Sequence, residues 1–147
     1  MISGGQTGVD RAALDAALEA GLAVGGFVPR GRLAEDGVIP ERYPLQECDS
    51  DDFAVRNELN VRHSDATLIL NRGELAGGTL LTAAFCRKHR KPCAVIALEE
   101  PGAEARVRAF IDQEAPRVLN VAGPRESKAP GIYVQALRVL RRALGPA

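Results

Sequence analysis

Three stretches of this chain carry residue types suited to holding an oxyanion, and each opens a helical run. The first is Ser3-Gly4-Gly5-Gln6-Thr7-Gly8-Val9-Asp10-Arg11. Its glycines let the backbone turn sharply and approach a ligand, while the helix behind them offers unpaired N–H groups and the positive end of its dipole. Phosphate binds such turns. No Gly-Lys-Ser/Thr follows, so this is not a Walker loop, and the glycine spacing differs from the dinucleotide fingerprint. The second stretch, Asn71 to Thr79, ends in Gly77-Gly78-Thr79, where Thr79 can cap the next helix or give its hydroxyl to a phosphate oxygen. The third, Gly123 to Gly131, holds Arg125, Ser127 and Lys128, which supply cationic and hydroxyl donors. The candidate binding set is therefore Gly4, Gly5, Gln6, Thr7, Gly8, Asp10 and Arg11, then Gly77, Gly78 and Thr79, then Arg125, Ser127 and Lys128. Arg30, from a separate Pro/Gly-rich loop, completes it.

Within this set Asp10 has two readings. It can bind a ribose hydroxyl or Mg²⁺ beside the phosphate, or serve as a first-turn acid favoured by the helix dipole. Arg11 can meet a phosphate or pair with Asp15 one turn on. His63 and His89 stand apart from every motif and from any partner ligand, so surface or helix-end roles are expected for them and no metal site is assigned.

Elements that would position these residues follow from the apolar pattern. Val9, Ala13, Ala16 and Ala17, with Leu14 and Leu18, form a stripe of mostly small residues, and Gly21 ends that helix. Leu22 to Val28 reads as a buried strand. Only Met1 and Ile2 precede the first turn, which is short for a strand, so the start is expected to lie upstream with the first strand clipped. Pro29 to Pro44 shows no sustained period and is expected to be a loop over the ligand, with Arg30, Arg32, Glu35 and Asp36 as its candidate contacts or as solvated charges. Leu45 to Cys48 is a short edge strand. Asp49 to Asp52 supply capping chemistry for a helix to His63, whose few apolar residues imply that its polar face, with Arg56 and Asn60, lines a cleft. Ser64 to Leu70 and Pro92 to Leu98 are buried strands; between them runs a helix from Thr79 to His89 with Leu80, Leu81, Ala84 and Phe85 inward. A helix from Pro101, a short strand at Val118 to Val121 and a last helix complete the chain.

Strand and helix alternate, which implies a parallel sheet covered on both faces. Open sheets of this kind bind ligands beyond the carboxyl ends of their strands, where all three motif loops fall. The alternative is three independent corners that merely need glycine. That would leave the accompanying Thr, Arg, Ser and Lys unexplained.

Bulk properties limit the function classes. A chain of 147 residues suits one domain, residues 1–147, around a single core. Nineteen basic residues balance nineteen acidic ones, so no global field draws nucleic acid or an anionic membrane. No apolar run approaches the ~20 residues of a membrane span and no leader pattern precedes the first motif, so a cytoplasmic address is expected. Cys48, Cys86 and Cys93 are odd in number and lack a C-x-x-C, which favours free buried thiols.

Four ordered blocks also carry a family resemblance. Ser3 to Asp15, the Arg30-Gly31…Glu35-Asp36-Gly37…Pro40 loop, Ser64-Asp65-Ala66-Thr67 with Gly77-Gly78-Thr79, and Asn120 to Ser127 resemble the family named "putative molybdenum carrier", a circularly permuted branch of the SLOG superfamily of Rossmann-like nucleotide-binding proteins. The resemblance implies a Rossmann-like, doubly wound three-layer α/β sandwich with a mainly parallel sheet. It further implies a homo-oligomer, dimer or tetramer, and a pocket for a phosphorylated ligand, either nucleotide-like or the molybdenum cofactor. No cysteine stands in the three turns, so direct molybdenum ligation is not expected. Related cytokinin-activating phosphoribohydrolases carry a Gly-Gly-x-Gly-Thr-x-x-Glu block, and here Thr82 takes the place of its acid. A threonine cannot act as a carboxylate base near neutral pH. A binding or carrier protein is thus the leading expectation. The alternatives are a nucleotide hydrolase using Asp10, Glu35 or Asp36, and a ligand-sensing module.

Overall fold

The structure, a computed structural model, describes residues 1–145. Helix α1 spans Val9–Glu19; strands β1 (Phe27–Val28), β2 (Leu33–Ala34), β3 (Gly37–Val38) and β4 (Gln46–Glu47) follow, then α2 (Phe53–Arg62). The second half runs β5 (Ala66–Asn71), α3 (Gly77–Lys88), β6 (Cys93–Ala97), α4 (Ala103–Glu114), β7 (Leu119–Ala122) and α5 (Ile132–Leu144). β5 is flanked by β6 and β7, both parallel to it. Ile2 extends this arrangement as a single-residue parallel bridge to Asn120 on one side and Gly25 on the other. Beyond it β1 pairs with β4, also in parallel.

Alternation along β5 divides the structure into layers. Ala66, Leu68 and Leu70 join Leu119 and Val121 in one apolar core with residues of α1, α4 and α5. Thr67, Ile69 and Asn71 point the other way, as period two requires, and α2 and α3 pack together as the remaining helix pair. Every residue of β5 is buried. This is the three-layer α/β arrangement of a Rossmann-like fold, and the chain enters α3 and α5 on opposite faces from the adjacent strands β5 and β7. A crevice opens between such loops.

Several sequence expectations change here. The strand expected over Leu22 to Val28 is reduced to Phe27–Val28, since Gly26 passes so close to Ser3 that a Cβ there would lie 2.0 Å from its carbonyl oxygen. Gly21 does end α1: its φ is 76°, and Leu22 N–H reaches Ala17 O. Pro29 to Pro44 is not structureless. β2 and β3 form an antiparallel hairpin, and Ile39 and Tyr43 behind it build a second small core with Leu14 and Val28. The Arg32 guanidinium is spent on the loop itself, donating to the carbonyls of Ile39, Pro40, Tyr43 and Leu45. α3 begins at Gly77 rather than Thr79, so Thr79 lies inside its first turn and does not cap it. Its inward face is Thr79, Thr82, Ala83 and Cys86, while Leu80 is 48% exposed. Of the cysteines only Cys86 is buried.

Candidate functional site: an anion-binding crevice

A cavity of about 380 Å³ lies between the carboxyl ends of β5 and β7. That volume suits a small organic ligand. Three elements wall it: the β5–α3 loop with the first turn of α3, the loop after β7, and α2. Four cationic side chains line it, Arg56, Arg72, Arg125 and Lys128, against two carboxylates, Asp10 and Glu74.

The three glycine turns have different fates. In the first, most of the donors are spent on the protein itself. Gly5 N–H goes to Ser3 Oγ at 3.3 Å, Thr7 N–H to Gln6 Oε1 at 3.0 Å and Val9 N–H to Pro124 O at 3.2 Å. Gln6 N–H reaches Asp10 Oδ2 at 3.3 Å, and Gly4 N–H also bonds this carboxylate. The oxyanion of this turn is therefore Asp10. Gly4 has no room for a side chain because Arg56 lies where a Cβ would be, 2.7 Å from its Nη1. At the third loop, Glu126 plays a similar part for α5, accepting from Gly131 N–H and Tyr133 N–H.

Only the second of the three turns is left open. No side chain caps α3, and the first backbone bond that closes it runs from Leu80 N–H to Ala76 O at 3.2 Å. Among the described residues, the N–H groups of Gly77, Gly78 and Thr79 have no protein acceptor and front the cavity. Arg72 Nε is buried there without a hydrogen bond, although its Nη2 donates to Pro130 O at 2.8 Å. Arg125 Nε likewise lacks hydrogen-bond geometry, with Glu35 Oε2 3.5 Å away as its ionic neighbour.

Seven of the residues singled out from sequence line this cavity: Gln6, Asp10, Gly77, Gly78, Thr79, Arg125 and Lys128. Gly4, Gly5, Thr7 and Gly8 lie behind it as packing. Gly8 is wedged against the third loop, where a Cβ would sit 2.4 Å from Pro124 O. Arg11 does not pair with Asp15; it pairs with both oxygens of Asp36 at 3.0 and 3.1 Å. Ser127 and Thr7 both donate their hydroxyls to Glu35. Arg30 is exposed and off the cavity. Phe53 and Asn57 on the wall lie outside every motif, while Arg72 on the wall and Gly123 at the base fall inside the second and third stretches but outside the candidate set. The weak apolar pattern of α2 did signal Arg56, 5% exposed and on the cavity wall, whereas Asn60, 3% exposed, does not reach the cavity and instead bonds the backbone N–H and carbonyl of Phe27.

Electrostatics separate the acids. Burial pushes the Asp10 carboxyl up to about 6, against the pull of Arg56 and of the Gln6 N–H. Burial would also raise Glu35, but hydrogen bonds from Ser127 and Thr7 and the Arg125 charge outweigh it and hold that carboxyl below the usual range. Thr82 lines the cavity and donates its hydroxyl to Gly78 O at 3.0 Å. Among the described residues no three His, Cys, Asp or Glu side chains cluster as metal ligands.

This crevice, at the point where neighbouring strands send their chains to opposite faces, agrees with the match of residues 1–144 to the family described as "Circularly permutated YpsA SLOG family". The chain belongs to that family. A solved structure is similar along almost the whole length: a protein named putative molybdenum carrier protein, from Syntrophus aciditrophicus SB, is 45% identical, with a TM-score of 0.95 over 98% of this chain and 93% of the other. No curated protein matches.

Proposed function

We propose that the crevice binds a phosphorylated small ligand with a planar heterocycle and carries it without transforming it. The observation that bears most weight is the uncapped first turn of α3, whose three N–H groups face the same cavity as Arg72, Arg125 and Lys128. Such a donor set fits a phosphate better than a carboxylate, because it surrounds the anion rather than forking one edge. On the α2 side, Phe53 offers a ring face, and Asn57, whose Oδ1 already accepts from Arg56 Nε at 2.7 Å, retains its amide N–H groups for the edge of a heterocycle.

A nucleotide and the molybdenum cofactor both have this phosphate-plus-ring chemistry. The named function of the structural relative favours the cofactor. The residues fit that group's phosphate and pterin; its metal would depend on the dithiolene of the cofactor, as none of the three cysteines lines the cavity. When bound, the group would supply an oxo-metal centre. Gly77, Gly78, Thr79 and Lys128 would hold its phosphate. Asp10 and Glu74 are the carboxylates that a Mg²⁺ beside the phosphate would use. The same reading takes the chain as a cytoplasmic homo-oligomer; Val134, 58% exposed on α5, is an apolar group that a second copy would cover, and sedimentation would measure it.

Native mass spectrometry of gently purified protein, followed by thermal-shift measurements with nucleotides, pterin phosphates, molybdate and tungstate, tests the proposal. A ligand at ~100 times its dissociation constant stabilises the fold by about 2.7 kcal/mol. A hit recovered unchanged supports carriage; stabilisation by no phosphorylated compound overturns it. A hydrolase is the second reading, and the observation in its favour is Asp10, which lines the cavity with a carboxyl poised at about 6. Consumption of a hit by the protein, lost in Asp10→Asn while binding persists, would establish that reading instead.

A further inference from the structure

One side chain of the crevice has the sense of its hydrogen bonding fixed by the protein itself. Arg56 is buried; its Nη1 donates to Gly4 O at 2.5 Å and its Nε to Asn57 Oδ1 at 2.7 Å. A guanidinium only donates, so the Asn57 amide cannot turn round without setting two donors against each other. Its oxygen therefore faces Arg56, and its nitrogen is the end left for the cavity that Asn57 lines. Gly78, in the first turn of α3, leaves that end uncrowded, since a Cβ there would come within 3.4 Å of Asn57 Nδ2. Phe53 stands one helical turn before Asn57 on the same face of α2, half-exposed, with the Arg56 guanidinium 5.3 Å from its ring centroid. A flat ring laid against Phe53 has Asn57 toward its edge, where the amide offers donors and no acceptor.

We infer that, with a phosphorylated heterocycle in the crevice as proposed above, Asn57 selects rings that carry a carbonyl at this edge, a 6-oxopurine or a 4-oxopteridine, over a 6-aminopurine. Arg56 is the positioning residue that fixes the amide for this choice. A 6-oxopurine presents two neighbouring acceptors, its exocyclic oxygen and the adjacent ring nitrogen, where a 6-aminopurine presents a donor beside an acceptor. The Asn57 N–H groups match the first pattern. Against the second, an amino group points at an amide nitrogen and a donor on each side is left without a partner. A site built around a fixed donor rejects the mismatched ring through that lost pairing, so the exchange of one ring substituent changes affinity by about 10-fold or more.

The test is calorimetric titration of the full chain with inorganic phosphate, ribose 5-phosphate, inosine 5′-monophosphate and adenosine 5′-monophosphate. The inosine nucleotide should bind about 10-fold or more tightly than the adenosine nucleotide. In Asn57→Leu the two should come within about twofold of each other, while inorganic phosphate binds as it does to the unchanged protein. Asn57→Asp keeps one oxygen for Arg56 and turns the free end into an acceptor, so both nucleotides should weaken and their order should reverse; thermal melts show that each variant is folded. Equal affinity for the two nucleotides, an inosine preference that survives Asn57→Leu, or phosphate binding with neither nucleotide bound overturns the selection while leaving the anion site standing. Loss of inorganic phosphate in Asn57→Leu as large as the loss of the inosine nucleotide overturns it too, by giving the amide to the anion. Failure of all four compounds to bind overturns the reading of the crevice as a phosphate site, and the selection with it.

Discussion

Asp10 is where the residue scale decides most, since one carboxylate satisfies the first glycine turn and also lines the crevice. Its carboxyl is raised to about 6 by burial. A raised acid binds its proton more tightly folded than unfolded, so its stabilising contribution is full at acid pH and is lost as pH rises through 6. Ionised, it also opposes any anion in the cavity. Sulfate, whose charge is constant over that range, should therefore bind more weakly as pH climbs through this point, and Asp10→Asn should flatten the dependence; calorimetric titration across the range checks both. Gly123 has a simpler sensitivity. A Cβ there would lie 2.3 Å from Leu70 O and 2.6 Å from Val9 Cγ2, in backbone and core that cannot yield. Gly123→Ala should cost about 2–4 kcal/mol in chemical denaturation.

At the scale of elements, α3 and the β2–β3 hairpin carry opposite lessons. Ala76, the N-cap of α3, has the extended φ and ψ of −147° and 161° that a capping aspartate adopts. Ala76→Asp should stabilise the fold by ~1 kcal/mol while weakening sulfate binding, because the new carboxylate would take the N–H groups the ligand needs. Thermal melts and titration would read the two signs separately. The hairpin is tied down by Glu35, which accepts from Thr7 and from Ser127 Oγ at 2.5 Å and Ser127 N–H at 3.1 Å. Glu35→Ala should raise amide exchange from Leu33 to Ile39 several-fold with little change in β5. Neither feature was legible in full from sequence. Gly77-Gly78-Thr79 marked the right helix, but glycine and threonine at a helix start do not say whether a carboxylate elsewhere will cap it. The hairpin was missed because its strands are two residues each, too short to show a period, and because its two buried anchors, Ile39 and Tyr43, are spaced by packing rather than by any repeat.

For the whole molecule, equal numbers of acids and bases give no net charge, yet four cationic side chains against two carboxylates leave the crevice positive. Local field, not global charge, would draw the ligand. Sulfate affinity should then fall with added potassium chloride more steeply than the melting temperature of the free protein changes. Layering and parallel strand order were readable because β5, α1 and α5 carry long apolar patterns and because alternation of strand and helix permits few topologies. What composition could not tell is where each turn's donors are used. That depends on Asp10, Glu35 and Glu126, acids whose partners are up to 92 residues away, as with Ser127 N–H on Glu35. One further arrangement links the layers. Tyr43 donates to Asp15 Oδ1 at 2.5 Å, and Tyr133 of α5 donates to the other oxygen of the same carboxylate. The chain has two tyrosines and no tryptophan. Its ultraviolet emission therefore comes from two phenols that share one quenching carboxylate, so light from the native protein should be dim and should brighten when the Tyr43 segment lifts from α1, giving an optical report on that docking without any attached dye.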